Sequence, residues 1–280
     1  MLNRRSSSLY LLLALLAAGC TVGERRREII QREWPASSIS RIELKEVNGS
    51  VKIEAWNGDR VTMTAEVFSR GIEPKANVEN KGFFRSEVDG DTLRIGTSGR
   101  KRRHRIHWFG GSSVTVHYTL RVPATVALDI DTINGKIATR GVTGETEMTS
   151  VNGSVDLETP GAAGVRLRTV NGRVRATFFE TFQGATMKTV NGSVTATLPP
   201  NASFACDLSQ VNGDFEAPFP LSIHSHPGNR RVSGEVNGGR HELRITTVNG
   251  DIRLDTAASR PATAPPAVPP PPAAAPAPTT

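Results

Sequence analysis

Ile133-Asn134-Gly135, Val151-Asn152-Gly153, Val170-Asn171-Gly172, Val190-Asn191-Gly192 and Val211-Asn212-Gly213 divide the stretch Thr132–Phe215 into units, their asparagines 18, 19, 20 and 21 residues apart. A period held this evenly is the mark of a repeat architecture. Each unit follows one grammar. An apolar residue stands four before the Asn (Ile130, Met148, Leu167, Met187, Leu208) and a polar one two before it (Thr132, Ser150, Thr169, Thr189, Gln210). Another apolar residue stands two after the Gly (Ile137, Val155, Val174, Val194, Phe215). Alternation of this kind reads as short strands. Asn-Gly reads as the bend between them, since both residues tolerate positive φ and Gly does so without steric cost.

Two geometries satisfy the grammar. A hairpin at Asn152-Gly153 would pair Ser150 with Val155 and Met148 with Leu157, but it would place Val151 on the wet face, as it would its counterpart in every unit. A corner in a coiled β-chain, with side chains of both arms pointing inward, accommodates that residue. The expected fold is therefore all-β, a single-stranded β-solenoid of ~20-residue units, with a hairpin-built β-roll as the alternative. On this reading Val170 faces the core, and Val170→Asp should destabilise the array cooperatively. Val47-Asn48-Gly49, Val236-Asn237-Gly238, Val248-Asn249-Gly250 and a degenerate Trp56-Asn57-Gly58 are further copies outside the array. Cys206, six before its Asn, where other units carry Leu128, Val165 and Ala185, reads as a small core residue rather than a reactive thiol.

Working outward from the array, residues 1–19 read as a secretory signal. Arg4 and Arg5 form its basic start, and Leu9–Leu16 is too short to cross a bilayer. Leu16-Ala17-Ala18-Gly19-Cys20 resembles a bacterial lipobox, although Ala17 replaces the usual Leu three before the Cys. Cys20 would then be the lipid attachment site, and in a diderm the resemblance, with Thr21 rather than an acidic residue after the Cys, implies outer-membrane retention. Residues 20–38 read as a lipid-anchored tether, solvated or a short helix, and 39–255 as the repeat domain. Alternation around Asp89-Gly90 predicts another strand pair. Residues 256–280, almost wholly Ala, Pro and Thr, cannot bury a core and read as a disordered tail.

The 280 residues carry a formal charge of +7, or +5 once Arg4 and Arg5 leave with the signal. Much of that charge is local. Arg100, Lys101, Arg102, Arg103 and Arg105, in the insertion 96–112 and followed by Trp108, form a candidate site for an anionic ligand. A solvated, mobile insertion explains the run slightly better. For an exported chain the fitting partners are an anionic envelope polymer or glycan, or a protein, and not nucleic acid. His224-Ser225-His226-Pro227-Gly228 reads as a loop, and His224 and His226, with His241, lack further ligands close in sequence, so no metal site is assigned and no cofactor is expected. The acids Asp129, Asp131, Asp156 and Glu158 are single positions on alternating strands, and no nucleophile, phosphate-loop or zinc motif is present, so the chain reads as non-catalytic. Asn134, Gly135, Asn152, Gly153, Asn171, Gly172, Asn191, Gly192, Asn212 and Gly213 read as structural turns, each Asn serving its own turn or its stacked neighbour.

With its Val-Asn-Gly-Ser/Asp/Arg-Val units the chain resembles the candidate-adhesin β-strand-repeat family of bacterial envelope proteins, over roughly Ile39–Asp255. The resemblance implies a right-handed β-helix-like domain at the cell surface or in the periplasm, tied to adhesion or to envelope stress. It supplies no catalytic residues. The expected function is that of an envelope lipoprotein presenting a surface for adhesion or polymer binding. The alternatives are an envelope-stress component and, behind it, a glycan-active enzyme.

Overall fold

A computed structural model describes residues 26–70, 84–97, 113–219, 221–226 and 229–257. Cys20, the basic run Arg100–Arg105 with Trp108, and the tail from 258 onward lie outside the described residues. The first strands are β1 (Arg26–Pro35), β2 (Arg41–Asn48), β3 (Val51–Ala55), β4 (Arg60–Arg70), β5 (Phe84–Asp89), β6 (Thr92–Thr97) and β7 (Ser113–Val122). The array contributes β8 (Ala127–Asn134), β9 (Ile137–Arg140), β10 (Thr146–Asn152), β11 (Val155–Thr159), β12 (Ala163–Arg168), β13 (Val174–Phe178), β14 (Gln183–Lys188) and β15 (Val194–Leu198). The chain closes with β16 (Phe204–Asn212), β17 (Phe215–Glu216), β18 (Ser222–His226), β19 (Asn229–Val236), β20 (His241–Asn249) and β21 (Ile252–Thr256). The only helical turn among the described residues is the three-residue 3-10 segment Ala36–Ser38.

These strands form two long sheets. The first runs β1-β4-β7-β3-β9-β11-β13-β15-β21-β17, the second β18-β19-β16-β20-β14-β12-β10-β8-β2-β6-β5. Their central strands are parallel and in register: Val155 pairs with Ile137 on one side and Val174 on the other, Met148 with Ile130 and Leu167. Antiparallel pairs are confined to the sheet ends, at β1/β4/β7, β5/β6 and β16/β19/β18. Each Asn-Gly of the array joins a strand of the second sheet to one of the first, so β10 and β11 do not pair with each other. The hairpin register is not the one adopted. The inward residues of both arms, such as Met148, Leu157, Leu167, Val174 and Met187, are wholly buried between the sheets. An edge-to-face set of rings, Phe178, Phe182, Phe204 and Phe219, closes the core toward the C-terminal end.

Four expectations need correction. Val170 does not face the core: it is 39% exposed, and Val47, Ile133, Val151, Val190, Val211 and Val248 are between 37% and 45% exposed. The bend falls after the Asn, so the residue before it still obeys the alternation of its strand and points outward. Second, the stack does not follow chain order. β20 and β21 insert between the layer of β14 and β15 and the layer of β16 and β17. At the other end β2 and β3 sit beside β8 and β9, inside β6 and β7. Third, residues 26–35 of the expected tether form β1, a ten-residue edge strand that buries Ile30 and packs Trp34 against the core. Fourth, the segment around His224, expected as a loop, is strand β18.

Candidate functional site

The corner of each unit explains the tripeptide, and positive φ at Asn is not the reason. Among the described non-glycine residues only Asn237 has positive φ, and it lies off the stack in the turn before β20. What each corner needs is room. A Cβ on Gly153 would lie 1.9 Å from the carbonyl oxygen of Gly135, and one on Gly172 would lie 2.1 Å from that of Gly153. The same holds along the column, where Gly135 abuts Gly49, Gly192 abuts Gly172, Gly250 abuts Gly192 and Gly213 abuts Gly250. The absent side chain lets each corner approach the one before it closely enough for Gly135 N–H to donate to the Asn152 carbonyl and Gly153 N–H to that of Asn171, both at 3.1 Å. The polar residue two before each Asn points into this column. Ser150, Thr169, Thr189 and Thr247 donate their hydroxyls to the carbonyls of Gly135, Gly153, Gly172 and Gly192. Thr132 Oγ1 occupies the equivalent place buried and without a partner.

The asparagines form a ladder outside the corners. Asn134 Nδ2 donates to Asn48 Oδ1, and the chain of amides continues through Asn152, Asn171, Asn191 and Asn249 to Asn212, each step 2.8–2.9 Å. Six steps at the usual interstrand spacing make a ladder ~29 Å long. Every interior amide spends a donor and an acceptor on its neighbours, and all point the same way. Asn48 and Asn249, expected outside the array, belong to this ladder; Asn57 and Asn237 do not.

Immediately beside the ladder runs a second column, one exposed β-branched side chain per layer: Val47, Ile133, Val151, Val170, Val190, Val248 and Val211. Parallel pairing keeps identical residues adjacent, which suits β-branched side chains. A sequence reading that turned these residues inward missed this column, although the signal for it, strict alternation up to the Asn, was present.

Elsewhere the outer faces are laced with ion pairs, among them Arg140–Glu158 at 2.9 Å, Lys136–Asp156 at 2.6 Å, Arg166–Glu145 at 3.0 Å and Arg231–Asp207 at 2.9 Å. Asp129 and Asp131 share a face with Glu43 and Glu147; desolvation, then the charge of Asp131, holds the Asp129 carboxyl above its ordinary range. At the first layer Glu46 replaces the hydroxyl residue. Its buried carboxylate accepts from Tyr118 Oη at 2.7 Å and from the N–H groups of Val47 and Asn48. Burial foremost, then Glu46, pushes the Tyr118 phenol far above its ordinary value. Cys206 is buried, and desolvation raises its thiol. An open depression of about 240 Å³ beside β2 and β6 is lined by Glu43, Lys45, Arg85, Glu87 and Arg94. That is below the usual range of ligand pockets, and Arg94 already bridges Glu43 and Asp89 there. No group of three or more potential metal ligands occurs among the described residues; the side chains of His224 and His226 are not among them.

The family model for Toastrack DUF4097 matches residues 16–255. No curated protein matches the sequence. Among solved structures, a candidate cell adhesion protein from Clostridium sporogenes is similar at 12% identity and TM-score 0.39, covering 84% of this chain and 100% of its own. A candidate adhesin from Bacteroides fragilis is similar at 11% identity and TM-score 0.32, covering 81% of this chain and 97% of its own. A candidate lipid-binding protein from Parabacteroides distasonis stands at 10% identity and TM-score 0.31, with coverage of 82% and 97%.

Proposed function

We propose a function from one premise: the chain belongs to the Toastrack DUF4097 family. It is an exported lipoprotein, anchored through Cys20 and held at the outer membrane, whose two sheets wind as a β-solenoid. It works without catalysis, as an adhesive or polymer-binding surface of the cell envelope. The observation that carries this reading is the periodic edge, on which seven layers repeat the same outward side chains at the interstrand spacing. A surface of that kind offers many equivalent weak contacts along a line, which is what an extended polymer or another cell's surface can use. The signal and lipobox sequence supports the address. Arg100, Lys101, Arg102, Arg103 and Arg105, beside Trp108, supply the cations that an anionic envelope polymer would engage.

Two measurements test the reading. Cys20→Ser should move the protein from the membrane fraction to the soluble fraction, and unchanged detergent-dependent fractionation would sink the anchor. Capture of envelope polymer by the chain should fall in high salt and on changing Arg100, Arg102, Arg103 and Arg105 to Ser. Capture indifferent to both would remove the basic run from the function.

A further inference from the structure

We infer that the column of β-branched side chains is a docking edge for an anionic lipid bilayer surface, contacted through Ile133, Val151, Val170 and Val190 and flanked there by Arg168, Arg173 and Lys188. The inference concerns a contact made by the folded domain, and it stands whether or not Cys20 is lipidated.

The shape of the edge comes first. The column lies where the chain passes from one sheet to the other, so it is convex, one side chain wide and ~29 Å long. A convex ridge fits a flat or yielding surface; it would need a matching groove in a folded partner. A continuous line of seven exposed apolar side chains is also unlike the single scattered ones that surfaces normally show.

Charge then identifies the occupant. On one side of the column the outward residues two positions before each Val or Ile are, along the stack, Lys45, Asp131, Thr149, Arg168, Lys188, Thr246 and Ser209. On the other side, after each Gly, stand Ser50, Lys136, Ser154, Arg173, Ser193, Asp251 and Asp214. Lys45 is paired with Asp131 and Lys136 with Asp156. Asp251 and Asp214 make the two C-terminal layers acidic. The surplus of cations is central: Arg168, 45% exposed at its side chain and paired only at one nitrogen with Glu147, and Arg173 and Lys188, both exposed with no ion pair to a described residue. At its central layers, therefore, the apolar line has cations on both sides, which complements anionic headgroups over acyl chains.

A second copy of the chain is a poorer occupant. Either twofold axis that lays ridge on ridge in register brings arginines together at the central layer: Arg168 on Arg168 and Arg173 on Arg173, or Arg168 on Arg173. The ridge also offers seven side chains, against the ~20–30 residues a side of a stable interface.

The test uses the full chain with Cys20→Ser, so that no lipid is attached and the buried Cys206 is the remaining thiol. An environment-sensitive fluorophore is placed on Val170→Cys or, at the opposite corner, on Glu180→Cys. With vesicles of equal phosphatidylglycerol and phosphatidylcholine the label at 170 should shift to the blue and brighten, while that at 180 should not. Changing Arg168, Arg173 and Lys188 to Gln should weaken partitioning of the 180-labelled chain, read by sedimentation with the vesicles, on the order of 100-fold. Val151→Ser with Val190→Ser should weaken it at least several-fold with unchanged melting. Because all variants share residues 1–25, any membrane affinity of the leader cancels. Equal shifts at both labels, no shift at 170, or the same response to pure phosphatidylcholine would overturn the inference. A concentration-dependent shift at 170 without vesicles would replace the bilayer with a second copy of the chain.

Discussion

Placing a single methyl group at one corner tests the packing account most directly. In Gly153→Ala the new Cβ would sit 1.9 Å from the Gly135 carbonyl oxygen and 3.0 Å from Ser150 Oγ. The first of these is backbone, so no side-chain rotation relieves the overlap, and the two layers must part by more than 1 Å. That movement stretches Gly135 N–H to Asn152 O (3.1 Å), Ile137 N–H to Ser154 O (2.9 Å) and Ser150 Oγ–H to Gly135 O (3.1 Å). At about 1 kcal/mol for each lost bond the cost is ~3 kcal/mol. For a domain of this size that lowers the melting temperature by roughly 6–12 °C. Thermal unfolding followed by circular dichroism reads the shift, with Ser154→Ala, the next residue along the same corner, as the control expected to stay within ~0.5 kcal/mol of the parent. A Gly153→Ala melt within 2 °C of the parent (~0.5–1 kcal/mol), or equal to that of Ser154→Ala, would show that the corners are not held by close backbone contact.

Three further outcomes follow from the same geometry. Val170→Asp should change stability by less than ~0.5 kcal/mol, whereas Val174→Asp, fully buried on the next arm, should abolish the cooperative melt, and comparable losses from both would put Val170 back in the core. Asn171→Ala removes two rungs of the amide ladder, to Asn152 and from Asn191, and should cost about 1–2 kcal/mol in urea unfolding with an unchanged slope. Asp129→Asn should stabilise at pH 7: a carboxyl whose folded value is raised is penalised in its charged native form, so removing the charge helps above the folded value. The advantage should shrink as the pH falls through the folded value toward the unfolded one, because the native wild-type group then takes up its proton. A gain that grows on acidification would contradict the desolvation assigned to Asp129.

Much of the architecture was legible because burial imposes a period of two. Met148, Val155, Leu167, Val174 and Met187 are core residues in the sequence pattern and in the fold, and the Asp89-Gly90 hairpin lies where its turn chemistry places it. The spatial order of the layers was not legible. Every corner offers the same amide, the same glycine and nearly the same valine, so local grammar cannot say that Asn249 stacks between Asn191 and Asn212. β1 was hidden because an edge strand buries little: between Arg27 and Pro35 Ile30 alone is buried, among charges that read as a tether. The outward valines were misjudged because an apolar side chain repeated at one position looks like core. The bend, however, lies one residue later than that reading requires. The basic run Arg100–Arg105, with Trp108, and the anchor Cys20 remain readings of sequence alone.

The insertion of β20 and β21 between older layers has a consequence in time. A chain emerging from the ribosome or a translocation pore N-terminus first would hold β14 and β15 on one side and β16 and β17 on the other, facing a gap that only the last coil can fill. Until His241–Thr256 appears, two strand edges in each sheet have no partner, and such edges invite pairing with other chains. The domain therefore behaves as a lock whose final pin is delivered last. It cannot mature progressively as a simple array of repeats would. A chain released before His241 should be a substrate for proteases and chaperones, rather than a shorter version of the same protein.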